Sequence, residues 1–329
     1  MIIRNATETD FNKLVEFNKS IYPECKVNYS DILKFWFSRS NNNIKQSIII
    51  DDEENSSIKG QILLSAMDYF YKRNIYKSVW LFNLIVEESL RKSAWGLDLL
   101  LEVHEQNKTS CSTGAGENAL PLHKMLGNNL IGEIRKYVGI VNPLYFFTSF
   151  KRGIIHTSKF PNNVKIKGTV FKKISNEILP SLYKPYNQNL FEPSRDIDYL
   201  KWRFYGGIHD YAFFKAQDSN DYFVLRTIIV KGITIMLLAD YRCNTLLKEP
   251  FDNICKAACK ITRKLLLPVL FTGSTLSIID TVLEHHHFKS VGRPRPVLST
   301  IKFDDREEDI KMRNFCLITL ADSDGETNY

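Results

Sequence analysis

The stretch that decides the fold of this chain reads Val86-Glu87-Glu88-Ser89-Leu90-Arg91-Lys92-Ser93-Ala94-Trp95-Gly96-Leu97-Asp98-Leu99-Leu100. An apolar run ends at Val86, a short polar segment follows, and the leucines from Leu97 onward recur at the spacing of a helix face. The stretch therefore predicts a strand, a loop and a helix in direct succession.

The loop of this stretch has the features of an anion site. Ala94 and Gly96 are small, so a ligand can approach the backbone closely. The first N–H groups of a helix have no partner within the helix, and together with the positive end of the helix dipole they favour a phosphate. Arg91 and Lys92 add positive charge at the same place.

Hydrophobic periodicity and turn residues predict the remaining elements. In the first half, strands are predicted at 2–4, 47–50, 60–67, 76–86 and 110–113, and helices at 11–22, 29–37, 90–104 and 119–125. In the second half, strands are predicted at 168–174, 211–214, 223–230, 234–240, 268–272, 297–303 and 315–320, and helices at 176–187, 197–204, 255–265 and 277–285. The order of elements is thus similar in the two halves.

Size and repetition predict two domains. A chain of 329 residues exceeds the length at which single hydrophobic cores usually stop growing. We predict a first domain at 1–150, a polar linker at 151–167 and a second domain at 168–329. Each domain is expected to have an α+β fold, with a mixed, mostly antiparallel sheet flanked by helices.

Composition narrows the partners and the compartment. The formal charge of +7 favours polyanions, but the lysines are dispersed, which favours small phosphorylated ligands over nucleic acid. The apolar runs at 233–238 and 265–271 are far shorter than the roughly 20 residues of a membrane-spanning helix. Scattered cysteines without CxxC pairs or a dense framework are typical of a reducing compartment. We therefore expect a cytoplasmic protein without a membrane partner.

Two sequence features invite a metal interpretation, and we predict no metal at either. Cys255 and Cys259 lie one helical turn apart but have no further ligands nearby in sequence. Consecutive residues on a helix point about 100° apart, so the triplet His285-His286-His287 cannot converge on one ion.

The stretch from Val86 to Leu100 resembles the acyl-CoA-binding motif of the GNAT superfamily. Arg91, Ala94 and Gly96 occupy the places of that motif's basic and small residues, while Glu88 stands where proline is usual. The resemblance extends over residues 1–142 and implies acyl-CoA as the donor substrate of an N-acyltransferase. It implies donor contacts at Leu84, Ile85, Val86, Arg91, Lys92, Ser93, Ala94, Trp95, Gly96 and Asn118.

A second GNAT element is matched farther along the chain. Ala119, Leu122-His123 and Gly127-Asn128 lie at the spacing of the family's alanine, leucine-tyrosine and glycine-aromatic positions. His123 thus stands in place of the tyrosine that protonates the departing thiolate, and the resemblance gives it that catalytic role. Asn83 is the polar residue in the apolar stretch before the loop, so it is a candidate to contact the incoming amine or the thioester carbonyl.

The second half has no comparable loop, so we expect it to contribute to acceptor binding. Its segment Asp198-Tyr199-Leu200-Lys201-Trp202-Arg203-Phe204-Tyr205 resembles one in tandem-GNAT acyltransferases of surface-polysaccharide biosynthesis. That resemblance implies a nucleotide-linked amino sugar as acceptor, with dTDP as the expected nucleotide. Candidate acceptor contacts are Trp202, Arg203, Tyr205, Asp322 and Asp324; the alternative is that Trp202 packs the core and Arg203 caps a helix.

Two other functions remain open at this point. The departures at Glu88, Ala94, His123 and Asn128 would also suit a degenerate GNAT pair that only binds a protein or nucleic acid. Alternatively, the enzyme would acylate an aminoacyl or peptide amine.

Overall fold

The computed structural model describes residues 1–23, 25, 27–39, 45, 47–72, 74–106, 109–175 and 190–322. The helices there are α1 (Phe11–Ile21), α2 (Tyr29–Ser38), α3 (Trp95–Gln106), α4 (Ala119–Met125), α5 (Tyr145–Ser149), α6 (Ile197–Tyr205), α7 (Lys248–Lys264), α8 (Ser277–His285) and α9 (Glu307–Lys311). The strands are β1 (Ile2–Asn5), β2 (Ile48–Asp52), β3 (Ser57–Ala66), β4 (Tyr69–Tyr71), β5 (Asn74–Tyr76), β6 (Val79–Val86), β7 (Ser110–Thr113), β8 (Asn129–Ile140), β9 (Asn163–Ile166), β10 (Thr169–Ile174), β11 (Glu192–Pro193), β12 (Ala212–Ala216), β13 (Tyr222–Val230), β14 (Ile233–Arg242), β15 (Val269–Ser274) and β16 (Lys289–Ser299).

Both halves of the chain build one sheet of 13 strands, in the order β1-β2-β3-β6-β7-β16-β8-β15-β14-β13-β12-β10-β9. Strand β16 of the second half lies between β7 and β8 of the first half, and β8 in turn pairs with β15. Each half therefore completes the sheet of the other. The predicted α+β fold class, with a large, mostly antiparallel sheet flanked by helices, is confirmed.

The strand order is approximately symmetric about its centre. Moving outward from the central pair β16–β8, the strands β7, β6 and β3 on one side correspond to β15, β14 and β13 on the other. The pairs β6–β7 and β14–β15 are both parallel and occupy equivalent places in this order. The sheet thus has two equivalent positions at which a parallel pair could open into a cleft.

The helices cover both faces of the sheet because each has an apolar side. Leu14 and Phe17 of α1 pack with residues of α2 on one face, and Leu99 and Leu100 of α3 pack against Ile50 of β2 on the other. Thr7 caps the 3-10 turn Glu8–Asp10 that leads into α1, since both its backbone N–H and its hydroxyl donate to Asp10. Because these helices lie on opposite faces of the sheet, strand β2 is buried on both faces.

The second half is joined to the first through a shared apolar core. Helices α7 and α8 cover one face of its strands, whereas α6 lies on the face that α2 also covers. The Trp202 ring of α6 stacks on Phe35 of α2 with centroids 4.7 Å apart, and its indole N–H donates to the Phe35 carbonyl. The two halves thus form a continuous interior.

Several predicted boundaries are corrected. The segment 151–167 is not an open linker, because Ile155 and Phe160 are buried and its end forms β9, which pairs with β10. Residues 315–320 form no strand beyond an isolated bridge between Phe191 and Cys316. The helix predicted at 255–265 begins at Lys248. The helix predicted at 176–187 lies outside the described residues.

Strand β16 begins at Lys289, well before the predicted position 297. Gly292, Pro294 and Pro296 argue against a strand in sequence, since proline removes a ladder donor. In the structure the pairing with β8 jumps from Val291 to Arg295, so part of this segment bulges out of the ladder.

Candidate active site

A cleft opens between β6 and β7. The two strands pair only where Val79, Trp80 and Leu81 face Ser110, Cys111 and Ser112. Beyond that point β6 continues to Val86 beside β3, whereas β7 continues beside β16. The second half of β6 is therefore left without a neighbour on its β7 side.

A β-bulge shapes the wall of this cleft. Leu63 of β3 faces Phe82, but Gln61 faces Ile85, so Asn83 and Leu84 share one position of the partner strand. Asn83 has a φ of 49°, in the left-handed region that asparagine tolerates better than most residues. The bulge turns Asn83 and Leu84 toward the cleft, which both of them line.

The predicted anion loop follows β6 directly. Residues Glu88–Leu90 form a 3-10 turn, and α3 begins at Trp95, with Ala94 accepting from the N–H groups of Leu97 and Asp98. Within these described residues, the N–H groups of Lys92, Ala94, Trp95 and Gly96 donate to no protein acceptor. Their donors are free for an anionic ligand, as the sequence predicted.

Two residues of the loop, Arg91 and Gly96, show how a ligand could fit. Arg91 is exposed, and its Nε donates to the Val86 carbonyl at 3.3 Å. A Cβ placed on Gly96 would lie 3.7 Å from Leu122 and 3.8 Å from Val86, which is ordinary contact. Packing within the protein therefore does not require glycine at position 96. The exposed Lys92 and Ser93 and the partly exposed Trp95 complete the loop.

The cleft itself is a cavity of about 470 Å³. It is lined by Tyr22, Ile62, Leu81, Phe82, Asn83, Leu84, Ser112, Thr113, Gly114, Ala115, Gly116, Ala119, His123 and Arg295. None of these carries a carboxylate, so an amine entering the cleft meets no acidic side chain among them.

His123 forms the floor of the cleft and is uncharged at neutral pH. It is only 4% exposed, and burial, together with the nearby His104, lowers the pKa of His123 to about 4. The Asn128 amide lies 2.7 Å from the Nδ1 atom of His123. If Asn128 donates its N–H, the imidazole carries its proton on Nε2. Asn128, a departure from the family pattern, thus orients His123.

Most residues that line the cleft were not predicted from the sequence, among them Ser112, Gly114, Gly116 and Arg295. Ser112 is buried, and its hydroxyl has no hydrogen-bond partner in the part of the chain that the structure describes. Gly114 and Gly116 follow β7, and this run of small residues after a strand was an available signal. Arg295 belongs to β16, and no sequence signal connects it to β6 because β16 meets β7 only in the folded sheet.

The predicted acceptor residues are mostly occupied by partners within the protein. Arg203 is 1% exposed and donates to the Ala321 carbonyl and the Tyr211 hydroxyl. Asp322 is fully buried and bonds to Arg195 and Tyr199. The Tyr205 hydroxyl donates to the Ile174 carbonyl at 3.0 Å.

The burial of Arg203 and Asp322 corrects the acceptor roles predicted for them, since their contacts hold α6 and the C-terminal segment in place. Tyr205 is partly exposed and lines another cavity, so its acceptor role stays a prediction. Asp324 lies outside the described residues, and Asn118 is exposed just before α4.

Trp202 lines a separate groove of about 680 Å³. Ser78, Val79 and Thr109, which also line it, lie at the beginnings of β6 and β7. The groove is therefore at the opposite end of this strand pair from the cleft. Its side chains include both acids and bases, among them Asp198 and Lys201.

The described residues contain neither a candidate metal cluster nor a helix able to span a membrane. No group of three potential metal ligands comes together there, and His286 instead bonds to Asp252 at 2.7 Å. No helix among the described residues has the length and apolar character needed to cross a membrane.

Solved structures share this fold. The chain is similar to a GCN5-related N-acetyltransferase from Anabaena variabilis ATCC 29413, with a TM-score of 0.60, 11% identity, and coverage of 91% of this chain and 72% of that one. Saccharomyces cerevisiae N-myristoyltransferase, solved with bound myristoyl-CoA, matches with a TM-score of 0.58, 12% identity, and coverage of 83% and 74%. A putative acetyltransferase from Pyrococcus horikoshii matches with a TM-score of 0.57, 13% identity, and coverage of 94% and 92%.

At these identities the likeness shows the fold alone, which this chain shares with the solved N-acetyltransferase and N-myristoyltransferase structures. No protein-family profile and no curated protein sequence matches the chain.

Proposed function

We propose that this protein is an acyl-CoA-dependent N-acyltransferase whose donor lies in the cleft between β6 and β7. The observation that carries the proposal is the cleft at the bulge of β6, together with the unpaired N–H groups at the start of α3, the helix that follows the same strand. Two similar folds belong to proteins named as acetyltransferases, and a third was solved with myristoyl-CoA bound.

The loop from Arg91 to Gly96 is assigned to the pyrophosphate of the donor. Its free N–H groups and the dipole of α3 favour negative charge, and Arg91 and Lys92 lie beside them. The pantetheine arm then follows the open side of β6 to Val86, where the thioester lies. The acyl group continues past Leu84 toward the bulge, where the cavity is lined by Asn83, Ser112 and His123.

The thioester carbonyl is polarised by the backbone N–H of Val86. The N–H of Glu87 donates to Lys59 on β3. Because successive N–H groups of a strand point to opposite sides, the N–H of Ile85 also faces β3 and that of Val86 faces the cleft. The Arg91 Nε bond to the Val86 carbonyl, on the same open side, agrees with this direction. A fixed donor of this kind stabilises the oxyanion that forms when an amine attacks.

His123 acts as a neutral hydrogen-bond donor to the departing thiolate. With its pKa lowered to about 4, the ring is not protonated at pH 7 and cannot serve as a cationic acid. Its Nε2–H still stabilises a developing thiolate, whose leaving ability depends little on full proton transfer because thiols have a pKa of about 8.5. The reaction needs no covalent enzyme intermediate, since alignment of the amine and the thioester supplies much of the rate.

For the acceptor we propose the amine of a nucleotide-linked amino sugar, as in surface-polysaccharide biosynthesis. The support is the likeness of residues 198–205 to such enzymes. The structure gives this segment a packing role in α6, so the acceptor site is assigned to the cleft and not to Trp202.

The proposal is tested with Gly96→Asp, which places a negative charge among the free N–H groups. We expect the dissociation constant of acyl-CoA to rise by about tenfold or more, because a like charge meets the pyrophosphate. Gly168→Asp is the matched control, since a Cβ at that turn meets nothing within 4 Å and one at Gly96 makes only ordinary contacts. Calorimetric titration measures the affinity, and thiol release is followed with acyl-CoAs, dTDP-linked amino sugars and peptide amines.

Unchanged acyl-CoA affinity in Gly96→Asp would contradict the donor site. Wild-type protein that binds acyl-CoA but releases no thiol with any amine would favour a non-catalytic binding module instead.

A further inference from the structure

The guanidinium of Arg295 faces the cleft without a partner. Its side chain lies against Gly114, where a Cβ would come within 3.3 Å of the Arg295 Cδ atom. Neither a hydrogen bond nor an ion pair joins Arg295 to any residue of the described ranges. A guanidinium carries five N–H donors, and partly burying it without an acceptor is unfavourable. An unpaired arginine that lines a cavity therefore points to a ligand.

The surroundings of Arg295 are positive. Arg293, two residues earlier on β16, is exposed and paired with Glu117 at the rim. Lys136 of β8 has its pKa lowered by burial and by the charge of Arg295. Since no carboxylate lines the cleft, nothing among its lining residues neutralises Arg295. A negatively charged ligand would do so.

Arg295 and the donor loop lie on opposite sides of the cleft. The loop follows β6, whereas Arg295 lies on β16, beyond β7. The pyrophosphate of the donor is already assigned to the β6 side, at the start of α3. The charge of Arg295 is therefore available for the second substrate.

We propose that Arg295 binds an anionic group of the acceptor, so that the substrate is an amine that also carries a phosphate or a carboxylate. This inference rests on the proposed function. The hydroxyl of Ser112, which lines the same cleft and has no partner among the described residues, supplies a second donor. Arg295 thereby selects and binds the acceptor, while the donor site remains on β6.

The test compares Arg295→Gln and Arg295→Lys with the matched control Arg293→Gln. Each protein is saturated with CoA and titrated in a calorimeter with dTDP, with glucosamine 1-phosphate and with glycylglycine. We expect Arg295→Gln to weaken binding of the preferred anion by about tenfold to a hundredfold, the usual effect of losing a charged hydrogen-bonded pair. Arg295→Lys should lose less, and Arg293→Gln should bind as the wild type does.

The preferred probe identifies the source of the charge. Tighter binding of dTDP or glucosamine 1-phosphate indicates a phosphate-bearing acceptor, whereas tighter binding of glycylglycine indicates a carboxylate. With a probe that is acylated, Arg295→Gln should raise KM and leave kcat nearly unchanged.

Three results would overturn the inference: no binding of any probe to the wild type, equal binding by Arg295→Gln, or a loss of CoA affinity in Arg295→Gln. The last would make Arg295 part of the donor site. Failure of the proposed function is distinguishable, because it appears as absent acyl-CoA binding in the wild type, measured before any acceptor is added.

Discussion

The two parallel strand pairs of the sheet differ in what lies where their strands diverge. Beyond Leu81 and Ser112, the pair β6–β7 opens into the cleft described above. The pair β14–β15 is even shorter, joining only Met236 and Leu237 to Leu270 and Phe271. Its far end is covered by the chain itself: Leu320 packs on Gly273 of β15, and the Thr319 hydroxyl donates to Asp240 of β14.

A buried ionic cluster holds this C-terminal segment in place. Arg195 bonds to both Asp240 and Asp322, and all three side chains are at most 1% exposed. Burial raises the pKa of Asp322, while the charge of Arg195 opposes that rise. Tyr199 and Tyr222 donate to the two carboxylates. The same parallel strand geometry thus forms an open cleft at β6–β7, whereas at β14–β15 the C-terminal segment fills the corresponding space and packs there.

The largest expected effect comes from removing the charge that holds the filled cleft. Arg195→Met leaves two carboxylates buried without their cation, and breaking a buried pair in this way costs about 3–5 kcal/mol of stability. Urea unfolding followed by circular dichroism measures the loss. Arg293→Gln, at an exposed pair, serves as control. A loss below about 1 kcal/mol would show that the cluster does not secure the C-terminal segment.

Because His123 is buried with a lowered pKa, it should make the free energy of unfolding depend on pH. Its pKa is about 4 in the folded protein and about 6.5 when unfolded, so the unfolded chain binds more protons between these values. The stability associated with neutral His123 is present above pH 6.5 and lost as the pH falls toward 4.

Relative to the wild type, His123→Gln should therefore gain about 3 kcal/mol of unfolding free energy on going from pH 7 to pH 4. Urea unfolding at both pH values measures this difference. Exposed His285 offers a control, and His285→Gln should show the pH dependence of the wild type. A His123→Gln variant with the same pH dependence as the wild type would mean that His123 is not buried in the neutral form.

The smallest expected effect concerns the bulges of the two pairs. Both β6 and β14 carry one extra residue relative to the strand beside them. In β6, Asn83 and Leu84 share a single position of β3, and in β14, Ala239 has no partner on β13. Of these three residues only Asn83 has a positive φ. Asn83→Gly should change the unfolding free energy by less than about 1 kcal/mol, because glycine adopts this φ freely.

If the Asn83 side chain contacts the reacting groups, the same variant should lower kcat and leave the acyl-CoA affinity unchanged. Single-turnover acylation and calorimetry separate the two quantities. Ala239→Gly, at the equivalent bulge of the filled cleft, should leave kcat at the wild-type value; an equal loss there would point to a general structural effect.

The sequence predicted those structural elements that depend only on residues close together in the chain. The strand, loop and helix around Arg91 to Gly96 follow from local spacing, and the helix boundaries of α4 and α8 coincide with the prediction. The role of His123 was only partly predictable, because its pKa depends on the burial of this α4 side chain in the folded protein and on the nearby His104. Asp322 looked like an acceptor contact in sequence, yet its partner Arg195 is 127 residues away.

By itself, the sequence determined the α+β class and the strand, loop and helix around Arg91 to Gly96, because short-range periodicity and helix-start chemistry are local properties. Only the tertiary structure decided that β16 enters the first half, that Arg295 reaches the cleft and that residues 315–322 close the second one. Strand pairing and burial join residues far apart in the chain, and no local pattern encodes which distant partner will meet them.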